Sequence, residues 1–99
     1  MVDSGKNILN ANSEVEGEEL ALTDETLISL YVFPISGDHK NHEIGLEVQP
    51  GGSASWVKLE KTVTGIGVIT TNIAAKKVRP CVIEPEGSPA EIEVYILAR

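Results

Sequence analysis

Ninety-nine residues with 41% apolar side chains suit one domain with an economical core. A net charge of −7 argues against nucleic-acid binding, which needs a basic face to displace counterions. No run of about 18 apolar residues could cross a membrane as a helix, and the polar start does not read as a secretory signal.

Taken in chain order, residues 1–19 are rich in Asn, Ser, Gly and Glu, with Ile8, Leu9 and Val15 as their notable apolar positions. Seven carboxylates stand against Lys6 alone through Glu25, so this head carries −6 of the net charge and the remainder −1. Such a composition cannot offset its own ordering entropy, which predicts a flexible acidic N-terminal arm over 1–19. A short helix over 11–20 is the alternative. The sandwich domain is expected over 20–99.

Residues 26–33 are β-branched and aromatic, and Pro34 is expected to close that strand. Residues 36–42 read as a polar loop. From Glu43 to Gln49 the alternation is clean, with Ile44, Leu46 and Val48 on one face, as in a half-buried strand. The cluster Pro50, Gly51, Gly52 and Ser53 predicts a turn, and residues 55–60 resume the alternation, so the two runs form a hairpin. Residues 62–71 predict a strand with a bend or bulge at Gly65 and Gly67. Residues 76–84 predict another, on which Pro80 implies an edge or a bulge. After a turn at 85–89, residues 90–98 alternate most clearly of all, with Ile92, Val94 and Ile96 inward and Glu91, Glu93 and Tyr95 outward. Six short strands with Gly/Pro turns and no amphipathic helix predict an all-β fold, an antiparallel β-sandwich of jelly-roll or immunoglobulin-like type.

No catalytic constellation can be assembled. His39 and His42 stand three residues apart between carboxylates, but no second shell is visible to orient them, so a solvated loop is expected and no metal. Cys81 lies in an apolar strand far from either histidine and reads as a buried structural thiol. Gly65-Ile66-Gly67 lacks the third glycine and the following helix of a phosphate cradle. Trp56, opening a strand after the Gly-rich turn, either packs at the rim or offers a flat surface to a sugar ring. Lys76, Lys77 and Arg79 are the one concentration of positive charge, suited to an acidic segment such as the chain's own head from a neighbouring copy.

The residues Gly45-Leu46-Glu47-Val48, Gly51-Gly52-Ser53, Trp56-Val57-Lys58-Leu59, Val78-Arg79-Pro80 and the closing Glu93-Val94-Tyr95-Ile96-Leu97-Ala98-Arg99 follow an order that resembles small virion structural proteins of tailed phages. That resemblance implies a non-enzymatic capsid decoration or cement protein, made in the host cytoplasm and located in the virion. It implies the major capsid protein or another virion protein as partner, and a homo-oligomer, a trimer ahead of other states, with no cofactor. The expected partner-binding residues are Ile8, Leu9, Glu14, Glu16, Glu18, Glu19, Lys76, Lys77, Arg79 and Trp56. The alternative is a carbohydrate- or surface-binding module built on Trp56 and the 36–42 loop.

Overall fold

The computed structural model describes residues 1–51 and 55–99. The expected turn at Pro50 to Ser53 runs into residues 52–54, which lie outside the described residues. Nine strands, and no helix among the described residues, form two antiparallel sheets: β1 Val2–Asp3, β2 Asn7–Asn10, β3 Leu20–Ala21, β4 Leu27–Gly37, β5 Glu43–Gln49, β6 Val57–Val63, β7 Gly67–Asn72, β8 Lys77–Glu84 and β9 Ala90–Ala98. One sheet runs β1-β9-β4-β7 with β2 also on β9; the other runs β3-β8-β5-β6. The all-β sandwich expected from the alternation is the fold observed.

The period-two pattern turns one set of side chains inward from each sheet. Ile28, Leu30, Val32, Ile92, Val94 and Ile96 come from the first sheet, and meet Ile44, Leu46, Val48, Val78 and Val82 from the second, all at most 2% exposed. Each such side chain contributes about 1.5–3 kcal/mol of burial. Small β-branched and aliphatic residues fill the gap because no aromatic ring takes part.

Three expectations are corrected. Pro34 does not end its strand: β4 continues to Gly37 through a register shift between Pro34 and Ser36, so the bulge absorbs the missing donor. Gly37 has φ +90°, and a Cβ there would collide with the Pro89 carbonyl, so only glycine fits beside the start of β9. Residues 62–71 are not one strand. β6 ends at Val63, Gly65 turns at φ +70°, and β7 starts in the other sheet.

The third correction concerns the head. Residues 1–19 are not a free arm but a strap that ties the two sheets together along one side. Val2 pairs with Ala98 and Ile8 with Glu93 on β9. The chain then crosses at Ala11, which is fully buried and bonded to Ala90 and Glu86. It continues along β8, where Val82 donates to the Val15 carbonyl, Gly17 donates to Pro80, and Leu22 donates to Lys76, each at 2.8 Å. Backbone pairing with two sheet edges supplies the enthalpy that the segment's polar side chains cannot. Pro80 fits because its missing N–H points at the strap, where only its carbonyl is used, while β8 stays paired to β5 on the other side. Among the described residues, β7 and β6 end the two sheets on the side away from the strap.

Candidate functional site

Arg79 is the centre of the ionic face on the second sheet. It stands opposite Glu47 in the β8–β5 register, and its Nε donates to Glu47 Oε1 at 2.9 Å. Its Nη2 lies 3.5 Å from Glu16 Oε1 on the strap, and its guanidinium sits 4.1 Å above the Trp56 ring centroid. Nearby, Lys77 Nζ meets Glu19 Oε1 at 3.3 Å. The acidic head and the basic cluster meet within the chain, through Glu16–Arg79 and Glu19–Lys77. A planar, delocalised cation set between two carboxylates and stacked on an indole is a fixed element of structure.

The remaining expected partner-binding residues are dispersed. Leu9 packs against the core and Ile8 points outward from the first sheet, 58% exposed. Glu18 is held through its backbone N–H, 3.4 Å from Asn7 Oδ1, and Lys76 through its own backbone, donating to Gln49 at 2.8 Å. Glu14 and Glu16 line a shallow cleft of about 160 Å³ with Glu47, Lys58 and Cys81. Cys81 is buried, as its apolar surroundings indicated, and burial pushes its thiol up to about 11, so a nucleophilic thiolate does not form near neutrality. Trp56 is half-buried, its ring stacked by Arg79 rather than sunk in the core. It lies at one end of β5 and the 36–42 loop at the other, about 20 Å away at the rise of an extended strand. A single sugar site cannot use both.

The loop itself is not solvated as expected. His42 is fully buried and Glu86 only 3% exposed. Glu86 accepts from the backbone N–H groups of Asn41 at 2.9 Å and His42 at 3.0 Å, and from the Asn41 side chain at 3.0 Å. Those donors, Asn41 first, hold its carboxyl below the usual range. His39 Nε2 lies 2.8 Å from the Ser36 carbonyl and must donate to it, which leaves His39 Nδ1 to accept from His42 Nε2 at 3.1 Å. His42 Nδ1 is then a bare lone pair, buried without a partner among the described residues. Burial above all, with the neighbouring His39 charge, holds the His42 pKa below its ordinary value. The network locks the β4–β5 loop onto the β8–β9 loop.

The outer face of the first sheet was not singled out by sequence reasoning, apart from Ile8. Two cross-strand rows lie on it: Val68, Tyr31 and Tyr95, and beside them Phe33, Glu93 and Ile8. The tyrosine rings meet edge to face at 6.3 Å between centroids. Phe33, Ile35 and Val68 are 41%, 48% and 52% exposed. The signal available in sequence was that β4 is apolar at both parities, Tyr31 and Phe33 alternating with Leu30 and Val32.

No family model and no curated protein matches the chain. Among solved structures, the crystal structure of SPBc2 prophage-derived protein YomS is similar, with a TM-score of 0.53 at 15% identity over 98% of this chain and 96% of that one. At that identity the two share a fold, end to end.

Proposed function

We propose that the chain is a non-enzymatic structural protein of a tailed-phage particle, seated on the capsid lattice or another virion protein as a decoration or cement subunit. The observation that carries this reading is the whole-length likeness to a prophage-derived protein, which spans the strap as well as the sandwich. The exposed apolar side chains on the outer face of the first sheet support a binding role, because such groups mark surfaces that meet another protein. Copies grouped as a homo-oligomer, a trimer in the simplest case, would add weak contacts through effective concentration on a repeating lattice. Because residues 1–19 are paired along β9 and β8, our reading assigns attachment to the folded surface and not to a loose arm.

The test is direct. Antibodies against the purified chain are applied to purified particles of the phage whose genome encodes it, with quantitative mass spectrometry for copy number. Surface labelling at a copy number that matches a lattice position supports the reading. A chain found only in lysate and absent from particles removes it.

A further inference from the structure

We infer that the outer face of the five-stranded sheet is the docking surface, and that its occupant is a protein surface presenting lysine or arginine side chains among apolar ones. This deepens the proposed function and rests on it for the partner's origin, though not for its chemistry.

The two outer faces of the sandwich differ in kind. On the second sheet, Arg79, Glu47 and Lys58 stand in cross-strand register, so cations and anions answer one another. On the first, Val68, Tyr31 and Tyr95 form one cross-strand row, and Phe33 and Ile8 flank Glu93 in the next. Single exposed apolar residues are ordinary, but apolar and aromatic side chains in adjacent cross-strand rows over four strands, with a carboxylate among them, are the pattern of an interaction site.

Charge then selects the occupant. Strands β1, β2, β4, β7 and β9 contain no lysine or arginine, and their ionisable carboxylates are Asp3, Glu91 and Glu93. Glu93 stands between Phe33 and Ile8, and neither it nor Glu91 forms an ion pair among the described residues. A second copy suits this surface poorly. Two such faces together would set carboxylates against carboxylates on chains of net charge −7. A partner with cations placed among apolar side chains satisfies both features.

The probe is a short synthetic β-hairpin peptide alternating valine and tyrosine with lysine, and its counterpart with glutamate at every lysine. Each is titrated into the full chain, followed by amide chemical-shift mapping at low and high salt, with light scattering on the chain alone. The lysine peptide is expected to shift amides of β4, β7 and β9, to weaken with added salt, and to lose about ten-fold in affinity against Val68→Lys or Ile8→Lys. Both positions are exposed, and the undisturbed amides of the second sheet report that each variant is folded. The inference is overturned by no binding, by shifts confined to the second sheet, by equal binding of the glutamate peptide, or by a dimer of the chain that Val68→Lys dissolves. Particle binding that survives Val68→Lys would place the dock elsewhere with the virion role intact. Absence from particles with peptide binding intact would remove the virion role and leave the surface.

Discussion

Arg79 has three partners drawn from three parts of the chain: Glu47 across the sheet on β5, Glu16 on the strap and Trp56 just ahead of β6. Because Glu47 is only 6% exposed, removing the cation strands a buried carboxylate. Arg79→Ala is expected to cost about 3 kcal/mol in urea denaturation. Arg79→Lys should recover little of that, since an ammonium cannot bridge two carboxylates and stack on an indole together. His42 sets a pH dependence of definite sign. Its folded pKa lies below the ordinary 6.5, so near and below that value the unfolded chain binds a proton that the folded chain refuses. Stability is therefore full above pH 6.5 and falls as the pH drops through the window beneath it. Protonation would place an N–H at Nδ1 with no acceptor, while Glu86 and Asp38 oppose the shift and His39 adds to it. Denaturation midpoints measured from pH 7 to pH 5 should decline for the native chain, and His42→Gln should flatten that slope.

At the scale of elements, the strap explains how two outer strands are protected. β8 and β9 would otherwise present unpaired backbone groups, which are templates for aggregation. β1 and β2 cover β9, and residues 15–22 cover β8. The crossing is close: a Cβ on Gly17 would lie 2.6 Å from the Pro80 ring and would also strike the Asn7 side chain. Removing residues 1–19 is therefore expected to abolish the folded monomer, a loss comparable to the roughly 5–15 kcal/mol that stabilises a whole domain. Collapse of amide dispersion and aggregation in light scattering would show it, whereas a well-folded truncated chain would return the segment to a dispensable arm. The opposite side is guarded more lightly. Lys61 Nζ caps the Thr70 carbonyl of edge strand β7 at 2.9 Å, so a lysine does there what the strap does elsewhere.

For the whole molecule, the two ends of the chain meet in one sheet, with Val2 opposite Ala98 and Leu27 bonded to Arg99. Nearly every pairing that follows joins strands distant in sequence, so loop-closure entropy must be met before contacts compensate for it. Refolding from urea is expected on the millisecond-to-second scale typical of sandwiches, read by stopped-flow Trp56 fluorescence; microsecond refolding would contradict this account. The amino-acid sequence by itself determined the fold class, because strict alternation at Ile44, Leu46, Val48 and at Ile92, Val94, Ile96 marks strands; that 43–49 would be half-buried is corrected, since Gly45 and Glu47 on the other face of β5 are buried too. It also indicated that Cys81 is buried in an apolar strand and that the acidic head and basic cluster carry opposite charge. Only the tertiary structure decided where they meet, since the strap's order comes from backbone bonds to β8 and β9, which leave no mark on side-chain composition. The burial of His42 and the apolar outer face were decided there too. A residue's parity along a strand says that it faces away from its neighbours, and only sheet order says whether that direction is core, solvent or an unfilled surface.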